Sequence, residues 1–178
     1  MTRSRHYLVK PALYKQSIIE GINQFYNLDE FVILAYTPGY NSNPHSSLVW
    51  MLDTLIRQDQ TRLSRFLELG KALDEKLIHE IESKGKKILL FGAAFGLLDL
   101  IELGNTQLPK DSIIMETGGM KTHRREMTKS ELHAKLTEGF HLSINNIHSE
   151  YGMTELLSQA YSLGDEWFSC VPWMKISI

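Results

Sequence analysis

Cysteine is almost missing from this chain of 178 residues, with Cys170 the single one. No internal disulfide can form, and such usage belongs to a reducing compartment rather than to a secreted, stapled scaffold. Cys170 lies in the apolar and aromatic stretch from Trp167 to Trp173 and reads as a buried, inert thiol. An excess of charge of one sign is missing too. Lys and Arg number 19 against 21 Asp and Glu, a net −2 at pH 7, so no global field draws the chain to nucleic acid or to an anionic membrane. The basic clusters from Thr2 to Lys10 and from Lys121 to Lys129 are local, solvated charges. No apolar run approaches the roughly 18 residues of a membrane span, and the basic start has no apolar signal core. A cytoplasmic location without a membrane span is the expectation. The 7 histidines form neither H-x-x-x-H nor H-E-x-x-H, which argues against a zinc hydrolase. G-x-S-x-G is absent, and with it the nucleophile elbow of an α/β hydrolase. Internal repeats, low-complexity tracts and a convincing linker are missing as well.

What is present is globular: 43% hydrophobic and 22% charged residues. The length suits one domain able to bury roughly 70% of its unfolded surface. From Pro11, apolar residues Leu13, Ile18, Ile19, Ile22 and Phe25 recur at helical spacing. Phe31 to Tyr36 is a short apolar run closed by Thr37-Pro38-Gly39, the pattern of a strand buried on both faces. Ser46 or Ser47 caps a helix carrying Leu48, Met51, Leu52, Leu55 and Ile56. Arg62 to Leu69 and Leu73 to Ile81 read as further helix, broken near Gly70. Ile88 to Phe91 predicts a second strand, with Gly92 as the hinge into a helix, and Ile113 to Met115 a third. Thr128-Lys129-Ser130-Glu131 fits a capping box whose helix ends at Gly139. Ser143 to Ile147 predicts a fourth strand, and Met153 to Tyr161 the helix after it. Strands alternating with helices predict an α/β fold with a mostly parallel sheet flanked by helices.

In such sheets ligands sit beyond the carboxyl ends of the strands. Here those ends are Pro38-Gly39, Gly92-Ala93, Gly118-Gly119 and Glu150-Tyr151-Gly152. The stretch Glu150-Tyr151-Gly152-Met153-Thr154-Glu155 suits a nucleotide. Gly152 admits close backbone approach, Tyr151 offers a face for a base, Thr154 a hydroxyl and an amide at a helix start, and Glu155 a carboxylate for Mg2+. The turn Phe91 to Gly96 hints at a methyltransferase, but it lacks the repeated glycines that reading needs.

Together with Glu116-Thr117-Gly118-Gly119-Met120-Lys121, the stretch from Ile113 to Tyr161 resembles the acyl-protein synthetases of the bacterial luminescence fatty-acid reductase system, within the adenylate-forming superfamily that includes acyl-CoA ligases. The resemblance is looser at Ser4-Arg5-His6, Pro38 to Met51, Phe91 to Phe95 and Val171 to Lys175. It implies part of the large N-terminal domain of an adenylate-forming enzyme, which activates a fatty or other organic acid with ATP and Mg2+ for transfer to a protein thiol or coenzyme A. By the family's motifs Thr154 would contact the α-phosphate, Glu155 would hold Mg2+, and Tyr151 would pack on adenine. Gly118, Gly119 and Met120 would wall adenine and the acyl chain, and His45 would stand beside the substrate carboxylate. His148 reads as structural. The family's phosphate loop and C-terminal lid with its lysine have no counterpart in these residues. The expectation is therefore a single, partial adenylation domain over residues 1–178, inactive in isolation, with dimerisation covering open sheet edges. The alternative is a noncatalytic nucleotide- or partner-binding module on the same fold.

Overall fold

A computed structural model describes residues 7–38, 45–104, 107–118 and 127–177, with Thr154 described by its backbone alone. Pro11 opens helix α1 (Pro11–Ile22), where its missing N–H leaves no bond unmade, and Tyr14, Ile18 and Ile22 form the buried stripe. Strand β1 (Phe31–Tyr36) is buried throughout, because helices cover both of its faces. Helix α2 (Ser47–Ile56) is capped by Ser46, whose hydroxyl accepts from the Val49 amide at 3.3 Å. After the two-residue strand β2 (Arg65–Phe66), Asp74 caps α3 (Glu75–Ser83). Strand β3 (Lys87–Ala93) runs directly into α4 (Ala94–Leu103), and β4 (Ile113–Thr117) leads towards α5 (Lys129–Phe140). Both arms of the capping box at Thr128 and Glu131 are in place. Three further strands follow, β5 (Ile147–Gly152), β6 (Gln159–Ser162) and β7 (Ser169–Cys170).

The sheet has 7 strands in the order β2-β1-β3-β4-β5-β6-β7. Its first five are parallel, while β6 and β7 pair antiparallel. The expected α/β architecture with a mostly parallel sheet between helices is therefore what the chain adopts. Side chains alternate between two cores. Phe31, Ile33, Ala35, Leu89, Phe91 and Met115 pack under α1 and α2, whereas Val32, Leu34, Ile88, Leu90, Ile114 and Ile147 pack under α3, α4 and α5. Among the described residues no helix is long and apolar enough to cross a membrane.

Four secondary-structure expectations are corrected. Residues 62–69 are not helical: the Asp59 carboxylate accepts from the amides of Thr61, Leu63 and Ser64, and Arg62 sits at φ 61°. That local bonding turns the chain away from helix and lays Arg65 and Phe66 beside Leu34 and Ala35. Gly92 is not a hinge but a strand residue paired with Tyr36, and α4 starts two residues later. Residues 143–146 are no strand, since Ser143 caps a 3-10 turn over Ile144–Asn146 and Asn146 bonds the carbonyls of Lys110 and Ser112. Lastly, no helix follows Met153. Three residues of 3-10 turn, Thr154–Leu156, end at Leu157 in the left-handed region, and the chain returns as β6. Cys170 is half-buried on the outermost strand rather than fully enclosed, beside a Trp167 that is 80% exposed.

Candidate functional site

The register lines the carboxyl ends of the central strands along one edge. Tyr36 pairs with Gly92, Gly92 with Glu116, and Glu116 with Ser149; one step further out Ala93 pairs with Thr117 and Thr117 with Glu150. The ends differ in what occupies them. Strand order reverses between β1 and β3, the usual place for a ligand crevice, yet here that place is filled by protein. A Cβ on Gly92 would lie 2.7 Å from the Tyr36 carbonyl, and one on Gly96 would lie 2.6 Å from Cδ of Pro38. These glycines exist to seat α4 against the end of β1. Gly118 is different. It is exposed, and among the described residues nothing lies within 4 Å of the Cβ it lacks. Among the described residues, packing gives no reason for a glycine at the end of β4.

Next to Gly118, Thr117 donates a hydrogen bond of 2.5 Å to Oε2 of Glu150. Glu150 is 5% exposed, and burial pushes its carboxyl up to about 7; the Thr117 bond pulls it down and the neighbouring Glu116 carboxylate adds to the rise. Gly152 makes room for this group, since a Cβ there would stand 2.6 Å from Oε1 of Glu150. On the same face, Gln159 donates to the Tyr14 hydroxyl at 3.4 Å. Burial raises the pKa of Tyr161 well above its ordinary value, with Glu150 adding to the effect, and its hydroxyl has no hydrogen-bond partner among the described residues. His148 completes this side. Nε2 lies 3.0 Å from the Asn145 carbonyl, which can only accept, so Nδ1 accepts from the Tyr26 hydroxyl at 2.7 Å. Burial lowers the pKa of His148, and the ring acts as a structural bridge, as expected.

The opposite face carries Glu116, His133 and Ser149, all buried. The Nε2 atom of His133 is 3.5 Å from Glu116 and 3.3 Å from Ser149. Both contacts fall on one ring nitrogen, so no relay through the imidazole to the hydroxyl exists, and the group is no catalytic triad. Further out, Lys129 donates to Ser162 and to the Asp165 carbonyl, each at 3.0 Å, and its ammonium stands 4.8 Å from the centre of the Phe168 ring. Tyr151 meets that ring edge-on at 6.0 Å and keeps 43% of its surface exposed.

The structure brings Gly118, Tyr151 and Gly152 to one edge, with Thr154 and Glu155 in the β5–β6 turn that follows. Glu155 is an exposed carboxylate. Thr154 opens a turn of 3 residues, not a helix, so the expected helix-start phosphate site does not exist. Gly119 and Met120 lie outside the described residues. His45 is exposed and directly precedes the Ser46 cap of α2, following on from the carboxyl end of β1. Sequence reasoning missed the partnership of Glu150 with Thr117. The acid was visible, but its partner appears only once β5 is known to begin at Ile147. No family model matches this chain, and no curated protein matches it.

Proposed function

We propose that the chain binds an adenylate across the ends of β4 and β5, and that it is an acyl-adenylate-forming ligase, or part of one, acting on a fatty or other organic acid. The observation that carries this reading is the pairing of Thr117 with Glu150, which sets Gly118 beside Tyr151 and the turn holding Thr154 and Glu155. A glycine with no described residue against it, next to a half-exposed aromatic ring, suits a flat base that approaches the backbone. Glu155 offers one open carboxylate, the donor set of a Mg2+ ion that takes its other ligands from water and phosphate oxygens. That ion would neutralise charge on the phosphates. The chain's own part is to orient: Tyr151, Gly118, Gly119 and Met120 serve adenine, Thr154 the α-phosphate, and His45 the acid. The loop amides, rather than a helix dipole, supply the electrostatic contact. A protein thiol or coenzyme A would accept the acyl group.

The test is thermal unfolding with and without a non-hydrolysable acyl-adenylate analogue plus Mg2+. At a hundredfold excess over Kd the ligand adds about 2.7 kcal/mol, a midpoint rise of roughly 5 to 10 °C for this size. The rise should vanish in Glu155→Ala while the unliganded midpoint stays put. No rise with the unmodified chain refutes the reading.

A further inference from the structure

We propose that Glu150 is the positioning residue of this edge: its buried carboxyl group, bonded to Thr117 and lying over Gly152, clamps the ends of β4 and β5 together, and its proton sets the spacing between Gly118 and Tyr151. The clamp stands on geometry alone; its effect on nucleotide affinity rests on the function proposed above.

Three observations converge. Thr117 and Glu150 are register partners, each one residue before the group the ligand would meet, Gly118 and Tyr151. Their side chains bond directly across the strands, on the face opposite Glu116 and Ser149. Gly152 leaves 2.6 Å between its missing Cβ and Oε1 and 3.3 Å to Cγ of Gln159, so any other residue would dislodge the carboxyl group. The groups around Glu150 offer its charge little support. From β4 come Thr117 and the acidic Glu116, from β6 its register partner Tyr161 and Gln159, and from α1 Tyr14. His148 on its own strand is committed to Asn145 and Tyr26 as a neutral ring. Among these described residues none is a cation. The Thr117 bond by itself favours the charge, but burial and the neighbouring Glu116 oppose it, so an ionised Glu150 must draw in water or move, and either changes the spacing of the two strand ends. A charged Glu150 would also repel the phosphate of an adenylate. Both effects act in one direction: the protonated form holds the edge closed and favours the ligand.

The experiment follows the Glu150 side-chain carboxyl carbon and the Gly118 and Tyr151 amides by NMR from about pH 5 to about pH 8.5 in the whole chain. All three signals should share a midpoint near 7. In Glu150→Gln, which keeps shape without titrating, the two amides should be flat. In Thr117→Val the carboxyl should still titrate while the Gly118 amide no longer follows. Amides that ignore the carboxyl, or that move equally in Glu150→Gln, overturn the clamp. In parallel, the affinity of an acyl-sulfamoyl adenosine with Mg2+ should weaken about fivefold or more from pH 6 to pH 8 in the unmodified chain. Glu150→Gln should bind equally at both values, which also controls for titration of the ligand. Binding that is pH-independent in both proteins overturns the link to the nucleotide. Shared titration without binding at any pH supports the clamp and removes the adenylate reading instead.

Discussion

A single buried acid makes the stability of this protein depend on pH in an unusual direction. Glu150 is raised from 4.5 to about 7 in the folded chain. Its contribution is complete below about pH 4.5, where both states hold the proton, and is lost as the pH rises through about 7. The loss amounts to roughly 3 kcal/mol. Glu150→Gln should therefore be more stable than the unmodified chain at pH 8, with a flatter profile in urea titrations at several pH values. His148 slopes the other way: its lowered pKa means stability falls as the pH drops below its ordinary 6.5. Tyr26→Phe removes the donor to Nδ1 and leaves a buried acceptor unmet, which should cost about 1 to 3 kcal/mol by denaturant unfolding. Gly152→Ala should cost about 1 to 3 kcal/mol through its clash with Oε1 of Glu150. The same change in a Glu150→Ala background should cost clearly less, because the group it strikes is gone.

At the scale of elements, what the sequence made legible and what it hid divide along a physical line. Continuous apolar runs such as Phe31–Tyr36 and sharp caps such as Thr128 with Glu131 announce themselves because the deciding interactions are local. Thr128→Ala should accordingly destabilise α5 by about 1 kcal/mol, measured as a lower denaturation midpoint with an unchanged slope. Misread segments are those where a distant partner or a side-chain bond decides. Residues 153–161 have enough apolar residues for a helix, but Tyr161 is needed opposite Glu150 on the sheet and Leu157 adopts φ 49° to turn the chain there. Ser17 of α1, far away in sequence, accepts this turn by donating to the Leu157 carbonyl at 2.8 Å. The fourth strand starts at Ile147 rather than Ser143, which places Tyr151 and Gly152 within the strand itself. The edge on which the motifs meet was legible from the alternation of strands and helices. Which glycine packing requires was hidden, since the crowding of Gly96 by Pro38 is a contact between separate elements.

Across the whole molecule, β1 and β3 are covered on both faces and flanked by strands on both sides, while β2 and β7 are two-residue outer strands. Hydrogen exchange should find the slowest amides in β1 and β3 and progressively faster ones through β6 to β7. Equal protection of β7 and β3 would contradict that gradient. Strand order also has a temporal meaning. β2 and β3 join on either side of β1, and each strand from β4 to β7 joins the sheet beside the one that preceded it in the chain. During synthesis, which runs from the N-terminus, every newly released strand meets a finished neighbour. The nascent chain can thus grow its sheet in one direction, and the edge shared by β4 and β5 closes only after the parallel scaffold that holds it has formed.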